Sequence, residues 1–183
     1  SFRLLKSLSE ETNLKDNIEK YFNGSVINET ERRAVLHTAL RSTGNDEVNK
    51  NLDKITKISD EINNGKRLGY SGKKITDVVN IGIGGSHLGP EMVTEALSCY
   101  SQGINPHFIS NIDPDFTSKL IEKLNPETTI FIVVSKTFST IETLENANKI
   151  RSWFIDNASE NFIKDHFISI SNNIEAPKKF GIS

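Results

Sequence analysis

The sequence holds one cysteine, Cys99, one methionine, one tryptophan and five prolines. One thiol cannot close a disulfide framework within the chain or build a cysteine-rich zinc site. Such sparing use of cysteine fits a reducing, cytoplasmic compartment. An excess of one charge is missing too: 22 Lys and Arg face 24 Asp and Glu, a net charge of −2. That balance lacks the basic face a nucleic acid needs and the polybasic patch an anionic membrane surface attracts. No apolar run approaches the roughly 18–20 residues of a membrane span. The histidines, His37, His87, His107 and His166, show neither HxH nor HxxxH spacing, so no metal site is legible.

What is present is an ordinary globular composition. The chain has 183 residues, 36% hydrophobic and 25% charged, enough to bury one core. The amino terminus, Ser1-Phe2-Arg3-Leu4-Leu5-Lys6, carries charge where a signal peptide needs an apolar core. It also lacks an initiator methionine, and the carboxyl end, Phe180-Gly181-Ile182-Ser183, stops abruptly. Both ends are read as cut ends of a longer chain.

Residues 1–70 read as a helical segment. Leu14, Ile18, Tyr21 and Phe22 share helical spacing ahead of a stop at Gly24. Arg32 to Arg41 is a weaker helix candidate, closed near Gly44. Val48, Leu52, Ile55, Ile58 and Ile62 mark an amphipathic helix from about Asn45 to Gly65.

Residues 71–183 change period. Four short β-branched runs, 78–83, 107–110, 129–134 and 166–170, look like strands buried on both faces. Helical patterns separate them. The first starts at Pro90, taken as a first helical position. The second starts at Pro114 behind an Asp113 cap. The third runs from Ile141 to Asn157 behind a Ser139–Glu142 capping box. The alternation predicts an α/β fold, a parallel sheet sandwiched by helices in the doubly wound manner. Ligands of such sheets bind outside the carboxyl ends of the strands.

Two turns at those ends stand out. Gly82-Ile83-Gly84-Gly85-Ser86-His87-Leu88-Gly89-Pro90 lets backbone approach a ligand, and a helix N-terminus follows. A dinucleotide fingerprint would need glycine at His87, and a P-loop would need Gly-Lys-Ser/Thr where Gly89-Pro90 stands. A hydrolase elbow would need glycine at Leu88. The turn is thus either a ligand site or a tight connection without a ligand. His87 either lines that site or meets solvent.

The second turn, Ser135-Lys136-Thr137-Phe138-Ser139-Thr140, gathers four hydroxyls around one lysine at a helix start. Caps explain one or two of them. A phosphate uses several neutral donors, one cation and a helix dipole. Trp153 and Phe154 read as core, Glu142 as a cap, and Cys99 has no neighbouring histidine to activate it.

Taken together, Glu31 to His37, Gly69 to Lys73, Asn80 to Pro90, Met92 to Leu97, Ser110 to Asp113 and Ser135 to Thr143 resemble the glucose-6-phosphate isomerase family. The match runs in the family's order from about residue 15 onward. The resemblance implies a sugar-isomerase-type domain and the interconversion of glucose 6-phosphate and fructose 6-phosphate in glycolysis and gluconeogenesis. It implies no metal or organic cofactor, and cytoplasmic homodimers much longer than this chain. Ser135, Lys136, Thr137 and Thr140 match the family's phosphate-binding loop, and Gly85 and Ser86 its substrate-contacting turn. The sequence departs from the family at His87, where Asp is usual, and at Ser139, where Thr is usual. The family's glutamate base, ring-opening histidine and charge-stabilising arginine fall in segments beyond Ser183, so no catalytic residue is assigned. A stand-alone phosphosugar-binding module without catalysis is the alternative.

Overall fold

The computed structural model describes residues 1–42, 44–101 and 103–182. The backbone divides into two compact units, Ser1–Lys57 and Ile58–Ser183.

The first unit opens with helices α1 (Phe2–Glu11) and α2 (Leu14–Asn23). The stop at Gly24 is real: Gly24 takes φ +75° and its N–H closes on the Lys20 carbonyl, the left-handed cap glycine favours. A small antiparallel ladder follows, β1 (Val26–Asn28) with β2 (Arg33–Ala34). The helix expected over Arg32 to Arg41 is therefore not formed; only His37–Arg41 winds, as a 3-10 turn. The reason is the Asn28 side chain, whose Oδ1 accepts from the Glu31 N–H at 3.1 Å and the Thr30 hydroxyl at 2.8 Å. That turn commits the chain to a hairpin, with Arg32 at φ +52°. Helix α3 (Asp46–Asn63) matches the amphipathic spacing.

The second unit contains a parallel four-stranded sheet. Its strands are β3 (Asp77–Ile81), β4 (Asn105–Ile109), β5 (Thr129–Val134) and β6 (Phe167–Ile170), in the spatial order β4-β3-β5-β6. Helix α4 (Gly85–Ala96) links β3 to β4, α5 (Pro114–Ile121) links β4 to β5, and α6 (Ile141–Asn157) with the short α7 (Ile163–His166) links β5 to β6. Helix α8 (Glu175–Phe180) follows β6. Right-handed crossovers with this order put α4 on one face and α5 and α6 on the other.

The core lies on the α5–α6 face. Val79, Ile81, Ile109, Phe131, Val133 and Phe167 point into it from the strands, and Ile150 and Phe154 from α6. Each fully buried aliphatic or phenyl group contributes about 1.5–3 kcal/mol of apolar transfer. Phe154 is core as expected, and Trp153 packs half-buried beside it, edge-on to Phe131. The opposite face is thinner: the side chains of Ile132 and Ile168 are half-buried and Ile170 is exposed.

Two helix starts differ from expectation. Helix α4 begins at Gly85, so Pro90 lies inside it rather than at its first position. Helix α6 does begin at Ile141, but its cap residue is Thr140 and no Ser139–Glu142 capping box forms. The hydroxyls of Ser139 and Thr140 are engaged elsewhere in the loop. By contrast Asp113 caps α5 as expected, accepting from the Asp115 N–H at 2.9 Å.

Candidate functional site

Strand order reverses between β3 and β5. From β3 the chain steps outward to β4, then returns to place β5 on the other side of β3. The register pairs Ile81 with Val133, so the residues that follow both strands leave the same edge side by side. A crevice opens at such a point because the two connections depart in opposite directions.

On the β3 side, Gly84 takes φ +56° and ψ −120°, a conformation open in practice only to glycine. It starts α4 at Gly85, and a Cβ built on Gly85 would meet nothing within 4 Å. Gly82 is constrained differently: a Cβ there would lie 2.7 Å from the Ser86 carbonyl oxygen. His87 does not face solvent. Its ring lies edge-on to Phe108, and Nε2 is 3.1 Å from Glu91.

On the β5 side, the Ser135 N–H continues the ladder to the Ile170 carbonyl at 3.1 Å. Ser135 is 2% exposed, and its hydroxyl pairs with that of Thr140 at 3.1 Å. Thr137 and Ser139 pair likewise at 2.6 Å. Each pair uses only one of its two hydroxyl protons for the bond within the pair. Lys136 and Thr137 are exposed. Phe138 is buried at φ +54°, its ring edge-on to Phe180. The buried ring holds the loop in a conformation that a bulky residue rarely takes.

A third turn, missed in the sequence, borders this loop. Ser171-Asn172-Asn173 follows β6 at the same edge. The Asn172 N–H donates to the Lys136 carbonyl at 2.9 Å. The Ser171 hydroxyl reaches the same oxygen at 3.2 Å, and Asn173 Nδ2 reaches the Thr137 carbonyl at 3.2 Å. An open cleft of about 590 Å³ is lined by Lys136, Thr137, Asn172, Asn173, Ile174 and Glu175. Three polar residues directly after a strand were the available signal. Asn111, after β4, takes part through its carbonyl, which accepts from Asn146 Nδ2 at 2.8 Å; Asn146 Oδ1 in turn accepts from the buried Thr117 hydroxyl.

The shifted ionisable groups lie at the other end of the sheet. His166, buried just before β6, accepts the Tyr70 N–H on Nε2 at 2.9 Å, and its Nδ1 is 2.7 Å from the Thr129 carbonyl. Burial lowers its pKa below the usual histidine value. Glu127 is held below the usual carboxylate range by bonds from Lys73 and Ser71. Burial raises Tyr70. Residues 69–73 are thereby fastened to the amino-terminal edge, a structural cluster remote from the crevice. Among the described residues, no three His, Cys, Asp or Glu side chains gather as a metal site. No helix among them is long and apolar enough to cross a membrane.

The fold defines an open parallel α/β protein in which the glycine turn and the hydroxyl-rich loop leave the sheet side by side at its switch point. The sequence pattern of one family, phosphoglucose isomerase, matches residues 1–183. The chain belongs to that family. It is 48% identical over 190 aligned positions to the glucose-6-phosphate isomerase of Christiangramia forsetii, covering 98% of this chain and 35% of that protein. The glucose-6-phosphate isomerase of Buchnera aphidicola subsp. Schizaphis graminum is 47% identical with the same coverage. The crystal structure of a glucose-6-phosphate isomerase from Chlamydia trachomatis superposes with a TM-score of 0.71 at 26% identity, over 93% of this chain and 34% of that one. A hypothetical protein from Thermus thermophilus shares the fold, with a TM-score of 0.57 at 24% identity over 79% of this chain and 35% of that one. The chain thus spans about a third of the length of these relatives.

Proposed function

We propose that this chain supplies the phosphate-holding part of a glucose-6-phosphate isomerase. In this reading residues 71–183 form the phosphosugar-binding domain and residues 1–70 a helical segment preceding it. Ser135, Lys136, Thr137 and Thr140 take the phosphate of glucose 6-phosphate or fructose 6-phosphate, while Gly85 and Ser86 contact the substrate from the neighbouring turn. The observation that carries the reading is the pairing of Ile81 with Val133, which sets the two turns side by side at the switch point.

Aldose–ketose isomerisation moves a proton between neighbouring carbons and needs a tuned acid and base. The groups with displaced pKa, Tyr70, Glu127 and His166, belong to the opposite edge. In this reading, which rests on the family resemblance, the catalytic acid and base come from segments beyond residue 183, and the chain alone does not turn over. The complete protein works as a cytoplasmic homodimer without a cofactor.

Calorimetric titration of fructose 6-phosphate into the chain tests this. The expected result is weak, saturable binding, on the order of 1 mM, abolished by Lys136→Ala. A folded chain with no saturable binding overturns the reading. Isomerisation by the chain in a coupled assay overturns the assignment of catalysis to other segments.

A further inference from the structure

The turn after β6 makes bonds that the phosphate loop cannot make for itself. Asn173 is at their centre. Its Oδ1 accepts from the Glu175 N–H at 3.1 Å and the Ala176 N–H at 3.0 Å. Its own N–H donates to the Ser171 hydroxyl oxygen at 3.1 Å. With Oδ1 committed to two donors, the amide nitrogen is the end that faces the Thr137 carbonyl. Ser171 passes the connection on, donating to the Lys136 carbonyl. Asn173 thus ties the first turn of α8 to the Thr137 carbonyl, while Ser171 and the Asn172 N–H hold the Lys136 carbonyl beside it.

Carbonyl oxygens repel an anion, whereas N–H and O–H groups hold it. A carbonyl already held by a donor cannot rotate toward a phosphate. In a trans peptide the N–H points opposite to the C=O, so holding the Lys136 and Thr137 carbonyls also fixes the Thr137 and Phe138 N–H groups, and the Phe138 N–H donates to the Ser135 carbonyl at 3.1 Å. A loop set in advance loses less conformational freedom on binding.

We infer that Asn173 is a positioning residue for sugar phosphate capture, acting through the Thr137 carbonyl and the turn it holds. The inference rests on the phosphate-binding reading of residues 135–140.

The alternative role for Asn173 is capping α8 alone, and Asn173→Asp separates the two. Aspartate caps a helix as well as asparagine does, but it sets an oxygen instead of a donor against the Thr137 carbonyl. Asn173→Ser is the uncharged counterpart: serine also caps a helix, but it brings neither the Nδ2 donor nor a negative charge. Inorganic phosphate and fructose 6-phosphate are titrated calorimetrically into the wild-type chain and both variants. Two-dimensional amide spectra of the ligand-free proteins are recorded alongside.

Asn173→Asp is expected to weaken both ligands about tenfold, the size of one lost bond at a charged ligand. It should also displace the amide resonances of residues 136–140 while leaving those of Glu175 and Ala176 in place. Asn173→Ser is expected to weaken both ligands by a similar factor, because it lacks the same donor. Wild-type affinity in Asn173→Asp, or in Asn173→Ser, overturns the inference. A wild-type chain that binds neither ligand overturns the phosphate-binding reading itself, and the inference with it.

Discussion

Asn80 compensates for Pro90. A proline inside a helix offers no N–H to the carbonyl four residues earlier, which in α4 is that of Ser86. Asn80, reaching from β3, donates its Nδ2 to the Ser86 carbonyl at 3.0 Å. The bond joins the strand to the helix it feeds and fixes the glycine turn between them. Asn80→Ala is expected to lower stability by about 1–2 kcal/mol. In a Pro90→Ala background residue 90 regains its N–H, and the cost of Asn80→Ala should fall by at least about 0.5 kcal/mol. Urea unfolding of the four proteins in this cycle measures the coupling; independent costs would show that Asn80 serves another purpose.

Gly82 and Gly85 should respond oppositely to the same added methyl. At Gly82 the new Cβ would press on the Ser86 carbonyl, and overpacking of this kind costs about 1–3 kcal/mol. At Gly85 the space is empty. Gly85→Ala should keep wild-type stability yet weaken fructose 6-phosphate binding, because under the proposed function the methyl stands where the substrate is held. Melting curves together with calorimetry check both halves; unchanged affinity in Gly85→Ala would place the sugar elsewhere.

His166 gives stability a pH dependence of known sign. Its folded pKa lies below the usual 6.5, with burial the largest cause. Below that unfolded value the unfolded chain binds a proton that the folded chain refuses, so stability falls as pH falls through the window between the two. One such proton changes stability by at most about 1.4 kcal/mol per pH unit. Protonated Nε2 could no longer accept the Tyr70 N–H. Urea unfolding between pH 7 and pH 5 should show a shallower slope in His166→Gln than in the wild type. Equal slopes would exclude this histidine as the source.

Thr143, in the first turn of α6, is buried, and its hydroxyl has no hydrogen-bond partner. Burying an unpaired hydroxyl costs about 1–3 kcal/mol. Thr143→Val keeps the shape and removes that cost, so the melting temperature should rise. A fall would show that the hydroxyl is satisfied in solution.

The sequence made some of this visible and hid the rest for identifiable reasons. Thr129 to Val134 and Ile141 to Asn157 were legible to the residue, because local periodicity and burial agree there. The start of α4 was obscured because Pro90 signals a first turn, and the partner that lets it sit deeper, Asn80, lies on another element. The capping box failed because Ser139 and Thr140 pair with Thr137 and Ser135 instead. The hairpin near Arg33 depended on one asparagine side chain. Strand order cannot be read from periodicity at all, and it is the strand order that brings the turn after β6 against residues 136 and 137.

The reversal at β3 also governs when the crevice can come into being during synthesis. The glycine turn leaves the ribosome early, but its companion loop follows β5, which arrives only after β4 and α5. Until Thr129 to Val134 have emerged, β3 has a neighbour on one side and an open edge on the other. A nascent chain halted in that interval carries half of the crevice and an unpaired strand flank beside it, the kind of surface on which chains associate wrongly. Arrival of β5 closes that flank, and the turn after β6 then holds the companion loop in place.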